Sequence, residues 1–185
     1  MATPQNLAVI VGSLREASLN RLAARQLIRL APEGLKGEIV EIRQLPLYDQ
    51  DLDETPPQEW TAFRGRIRAA DAVLFVTPEY NRSVPGVLKN AIDVGSRPYG
   101  KSAWNGKPAA VMSVSPGAIG GFGANHHLRQ SLVFLNMPIL QQPEAYVGQA
   151  GTLFDSSGNI ADAGTLKFFQ SFIDAFATWI RRNTG

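Results

Sequence analysis

The 185-residue sequence predicts an α/β fold: a doubly wound parallel sheet of five strands with helices on both faces. Three observations carry that expectation. Five strand signals alternate with helical ones from the first element onward, and the Ala72–Thr77 segment is apolar without interruption, as a strand covered on both faces must be. The unusual loops, 12–20, 78–83 and 115–123, each follow a strand, so a parallel sheet brings all three to one edge.

The elements follow in order. An apolar run from Leu7 to Val11 is cut off by Gly12 and should be the first strand. Leu19, Leu22, Ala23, Leu27 and Leu30 mark a helix face that Pro32 and Gly34 end. Gly37 to Leu45 alternates, with Ile39, Val40, Ile42 and Leu45 apolar, and is expected as the second strand. A long acidic loop, Pro46 to Pro57, leads to a second helix built on Trp60, Phe63, Ile67 and Ala70. After the third strand, Pro78 and Pro85 bracket a polar and aromatic loop, and Val87, Leu88, Ala91 and Ile92 recur at helical spacing. Ser96 to Lys107 reads as loop, Ala109 to Val114 as the fourth strand, and Leu128, Leu132, Val133 and Leu135 as the face of the next helix. Met137 to Leu140 and Ala145 to Val147 belong to the last strand region, where Pro138 and Pro143 imply an edge position or a break. The terminal helix, about Ala161 to Arg182, carries Leu166, Phe169, Phe172, Ile173, Phe176, Trp179 and Ile180 on one amphipathic face. No linker or repeat interrupts the chain, so residues 1–185 are expected to form a single flavodoxin-like domain.

Composition narrows the function classes. Eighteen Lys and Arg against 16 Asp and Glu leave a net charge of +2, and there is no basic block of the kind nucleic acid requires. Without cysteine, disulfide and thiolate chemistry are excluded, and any redox activity must come from a bound cofactor. No stretch resembles a membrane span, and the polar start, Met1 to Asn6, lacks the charged head and apolar segment of a secretion signal; a cytoplasmic location is expected. Asp49, Asp51 and Asp53 do not form a calcium loop, because the sixth and twelfth positions hold Glu54 and Trp60 instead of Gly and Glu. His126 and His127 are adjacent, not four apart as on a zinc helix, and are expected to serve the helix or an interface.

The first loop has the chemistry of an anion site. A helix start leaves backbone N–H groups unpaired and carries about half a positive charge. Ser13, Ser18 and Asn20 can donate hydrogen bonds there and Arg15 can offer its planar fork. Neither a P-loop nor G-x-G-x-x-G is present, so a single terminal phosphate is expected. Backbone amides of Glu79 to Arg82, with Tyr80, can meet the edge of a flat ring, and Gly117, Gly120 and Gly121 allow close approach of backbone to a planar ligand.

Three motifs, Gly12-Ser13-Leu14-Arg15-x-x-Ser18-x-Asn20, Pro78-Glu79-Tyr80-Asn81-x-Ser83-x-Pro85-x-x-Leu88-Lys89-Asn90-x-Ile92-Asp93 and Ser115-x-Gly117-x-x-Gly120-Gly121, resemble the NAD(P)H-dependent FMN reductase family, which includes bacterial quinone, chromate and azo reductases. The resemblance implies that Ser13, Leu14, Arg15, Ser18, Leu19 and Asn20 hold the FMN phosphate end. It places Pro78, Glu79, Tyr80, Asn81 and Arg82 along the isoalloxazine and ribityl, and Ser115 and Gly117 on the other side. It also implies NADPH or NADH as hydride donor, a small-molecule acceptor, and a homodimer or homotetramer. Lys89, Asn90 and Asp93 are expected to be structural. Because the flavin carries the chemistry, no catalytic side chain and no metal site are expected. The expected activity is a two-step transfer of electrons from NAD(P)H to quinones, azo compounds, chromate or free flavin. The alternative is an FMN-binding electron carrier or redox sensor without its own NAD(P)H turnover.

Overall fold

The computed structural model describes residues 4–184; Met1 to Thr3, the start of the polar N-terminal stretch, and Gly185 lie outside them. The elements are β1 (Gln5–Val11), α1 (Leu19–Leu30), β2 (Leu35–Ile39), α2 (Gln58–Ala69), β3 (Ala72–Thr77), α3 (Gly86–Ser96), β4 (Ala109–Val114), α4 (Phe122–Phe134), β5 (Ala145–Val147) and α5 (Ala163–Thr184). All four strand pairings are parallel, in the order β2-β1-β3-β4-β5. This is the flavodoxin-like order, in which winding reverses between β1 and β3.

Alternation along β1 sorts the core into two layers. Leu7, Val9 and Val11 point to one face, where they meet Ala23, Ala24 and Leu27 of α1 and Phe169, Phe172, Ile173, Phe176 and Ile180 of α5. Ala8 and Ile10 point to the other, against Trp60, Phe63 and Ile67 of α2, Leu88 and Ala91 of α3, and Leu128 and Leu132 of α4. Both β3 and β4 are buried along their whole length, as their unbroken apolar runs demand.

Three expectations are corrected. The second strand is Leu35–Ile39, not Gly37 to Leu45. Its register with β1 runs from Gln5–Leu35 to Val9–Ile39, and the Val40 N–H gives a last bond to the Val9 carbonyl. Beyond that point Val40 and Ile42 remain buried by turning into the α2 layer. Their alternation therefore records burial of a loop, not strand pairing. Val133 lies 68% exposed, because the buried line of α4 runs through Leu128 and Leu132 and residue 133 is rotated by about 100° from it. Gly120 and Gly121, at φ 65° and 75°, serve the fold: a β-carbon on Gly120 would come within 2.7 Å of the Tyr146 backbone.

The last strand region is a broken edge. Leu140 N–H donates to the Ala109 carbonyl beside the start of β4, and after Pro143 the chain returns to pair Ala145–Val147 with Met112–Val114. The acidic loop uses its aspartates locally. Asp49 accepts from the Asp51 N–H, and Asp53 accepts from the Tyr48 hydroxyl and lies 3.7 Å from Arg64. Asn90 pins this loop to α3: its Oδ1 accepts from the Tyr48 N–H, and its Nδ2 donates to the Leu45 and Pro46 carbonyls. Lys89 and Asp93 pair one turn apart at 2.8 Å.

Candidate functional site

The carboxyl ends of β1, β3 and β4 are neighbours in the sheet, so the loops that leave them share one rim. The loop after β1 opens where Gly12 passes Thr77 and Leu88; a β-carbon there would lie 2.8 Å from Thr77 Oγ1. Ser13 is buried, Leu14 and Leu19 are half-buried, and Arg15 is exposed. Ser18 caps α1 by accepting from the Arg21 N–H at 3.2 Å. Among the described residues, no backbone N–H from Ser13 to Asn20 donates to a protein acceptor. Those donors, at the positive end of α1, form the surroundings that an anion needs. Arg43, which the motifs do not include, reaches this loop and donates to the Leu14 carbonyl.

Asn20 crosses from α1 to the next loop. Its Nδ2 donates to the Val114 carbonyl at 3.1 Å, and its buried Oδ1 has no protein partner. An orphaned buried acceptor costs about 1–3 kcal/mol unless a donor arrives. A phosphate oxygen cannot satisfy it, but a ligand hydroxyl can.

The loop after β3 is a tight hairpin. Tyr80 and Ser83 exchange both backbone hydrogen bonds, leaving Asn81 and Arg82 at the tip with φ of 51° and 64°. The N–H groups of Glu79, Asn81 and Arg82 have no protein acceptor among the described residues. Tyr80 is half-exposed and Pro78 half-buried. The Glu79 side chain turns inward to the next element, where Oε2 accepts from the Ala124 N–H at 3.0 Å, in the first turn of α4. A carboxylate at that position meets both an unpaired N–H and the helix dipole.

The loop after β4 completes the rim. Ser115 N–H donates to the Val147 carbonyl, and Ser115 Oγ accepts from the Gly117 N–H at 3.1 Å. Gly117 is exposed and has only Ser115 Oγ near the space a β-carbon would fill. The two histidines, which sequence reasoning left without partners, tie α4 to its surroundings. His127 Nδ1 lies 3.0 Å from Ser83 Oγ, and His126 Nε2 lies 2.9 Å from the Tyr146 hydroxyl. His126 also packs on Phe122 at 4.2 Å between ring centroids. Burial, with a hydrogen bond to Glu144 next in weight, pushes the Tyr146 phenol up to about 12, so it stays a neutral hydroxyl at physiological pH. No periodicity or spacing signalled this cluster.

FMN fits the arrangement on three counts. Free N–H groups beside the exposed Arg15 suit an anion, the unpartnered Asn20 oxygen could accept from a hydroxyl such as a ribityl chain carries, and the unpaired amides of 79, 81 and 82 could donate to a ring edge.

Comparison with known proteins points the same way. The NADPH-dependent FMN reductase family matches residues 6–152. A quinone reductase of Pseudomonas putida is 63% identical over 184 residues, covering 99% of this chain and 98% of its own. A 2-hydroxy-1,4-benzoquinone reductase of a Burkholderia species is 47% identical over 175 residues, covering 95% and 96%. Among solved structures, a flavoenzyme NAD(P)H:(acceptor) oxidoreductase of Paracoccus denitrificans superposes with a TM-score of 0.91 at 43% identity, over 97% of this chain and 98% of that one.

Proposed function

Because the chain belongs to the NADPH-dependent FMN reductase family and is thus an FMN-dependent oxidoreductase using NAD(P)H, we propose that it reduces quinones and similar small-molecule acceptors in a two-step exchange. The observation that carries this reading is the shared rim, where the loops after β1 and β3 present unpaired backbone donors and the loop after β4 lies beside them. Bound FMN would supply the hydride and electron transfer between NAD(P)H and the acceptor, chemistry that no side chain of this protein provides.

The protein's part is to bind and orient. The N–H groups of residues 13–20, with Ser13, Ser18 and Arg15, would hold the phosphate, with Leu14 and Leu19 shaping that loop, and the free Asn20 Oδ1 would accept from a ribityl hydroxyl. Pro78 and Tyr80 would wall the ring, the free amides of Glu79, Asn81 and Arg82 would donate to its edge, and Ser115 and Gly117 would close the opposite side. Such donors stabilise the negative charge that a flavin's carbonyl edge gains on reduction. No side chain is assigned a catalytic step.

The chain acts as one FMN-binding domain and assembles into a homodimer or homotetramer. Support for assembly comes from a groove between α3 and α4, whose lining includes Ile92, Arg97, Leu135 and Phe134, the last of them 82% exposed. No helix among the described residues is long and apolar enough to cross a membrane. A cytoplasmic location, where NAD(P)H is held, belongs to the same proposal.

The test is direct. Purified protein should be yellow, bind FMN one to one, and oxidise NADH or NADPH when benzoquinone is supplied. A colourless protein that ignores added FMN overturns the reading.

A further inference from the structure

The hairpin tip at residues 81 and 82 carries a conformational cost that the fold does not explain. Both residues sit at positive φ, and a two-residue connection of this signature favours Asn-Gly, because Asn tolerates the left-handed region and Gly has no β-carbon to clash. Position 81 follows the preference. Position 82 holds an arginine, for which the left-handed region is an outlier. The turn cannot easily relax, since α4 backs it: a β-carbon on Gly123 would lie 2.7 Å from the Arg82 carbonyl oxygen.

In return, the arginine side chain contributes little to folding. It is 77% exposed, and its contact among the described residues is one oxygen of Glu79 at 3.4 Å. The other Glu79 oxygen is engaged by Ala124. An exposed pair at that distance has little effect on stability. Backbone strain at the edge of a ligand site, accepted for a side chain that the fold does not need, points to a role for that side chain outside the fold.

We propose that Arg82 recognises the hydride donor by gripping a phosphate of the nicotinamide dinucleotide. This rests on the FMN and NAD(P)H reading above. The loop after β1 already serves the cofactor's own phosphate, so a second anion arriving over the rim is what the exposed guanidinium is free to meet. Its planar fork matches phosphate oxygens in pairs, which a point charge does not. The anion is either the 2′-phosphate, present only in NADPH, or the pyrophosphate that NADPH and NADH share.

Two variants separate charge from strain. Arg82→Gln removes the charge and keeps the strained backbone; Arg82→Gly removes both. Each holoprotein is assayed with NADPH, with NADH and with 1-benzyl-1,4-dihydronicotinamide, a hydride donor without phosphate. NADP+ binding is measured by calorimetry and thermal unfolding is recorded. In both variants kcat/KM for NADPH, taken relative to the phosphate-free donor, should fall about tenfold, with NADP+ affinity falling alike. A fall for NADPH alone assigns the 2′-phosphate; an equal fall for NADH assigns the pyrophosphate. Arg82→Gly should unfold about 2–4 °C above Arg82→Gln. Unchanged ratios overturn the proposal, as does a glycine variant no more stable than the glutamine one. Failure of the underlying reading would show separately, as wild-type protein that carries no FMN or oxidises none of the three donors.

Discussion

Arg15, in the loop after β1, and Asn20, in the first turn of α1, suit different parts of a ligand. Arg15 is exposed beside unpaired N–H groups, whereas Asn20 is buried, bonded to the Val114 carbonyl and left with a free oxygen. Arg15→Ala should therefore weaken FMN by about tenfold while leaving riboflavin, which lacks the phosphate, within about twofold. Equal losses in flavin-fluorescence titrations of both ligands would remove the phosphate assignment. Residue types and their order were readable before any coordinates; the free oxygen of Asn20 was not, since its partner group lies 94 residues away. The same holds for Ser83 and His127, which meet across 44 residues.

Elements, and the contacts between them, decide how rigidly the rim is held. Glu79 joins the hairpin after β3 to the first turn of α4, a capping role that its place in a loop motif did not reveal. Glu79→Ala should cost about 1 kcal/mol of stability by losing a charged cap. It should also weaken FMN, because the hairpin amides are no longer anchored; denaturant unfolding and flavin titration would report the two effects, and unchanged values for both would remove the role. Away from the rim, Phe172 of α5 is fully buried in the core layer where α5 packs on α1 and β4. Phe172→Ala should cost about 3–5 kcal/mol, read as a lower midpoint at unchanged slope in urea. Helix faces such as that of α5 were legible because burial repeats with the helical period. The β2 boundary was not, because loop residues Val40 and Ile42 are buried as deeply as strand residues.

At the scale of the whole molecule, parallel strands and crossover helices gather loops from three parts of the chain at one edge. Phe134, exposed beside the α3–α4 groove, is the contact on which the proposed assembly turns. Phe134→Lys should shift the protein towards monomer in sedimentation experiments, because an apolar contact would then bury a charge. If the wild-type chain already sediments as a monomer, the groove has another use.

Order of elements, the class of the sheet and the shared rim could be read from residues alone, because apolar periodicity and the polarity of loops are local properties of a chain. Strand limits, the partners of Glu79 and Asp53, and the posture of Arg82 could not. Each depends on which groups from distant segments reach hydrogen-bonding range or crowd one another, and only the packed arrangement brings them there.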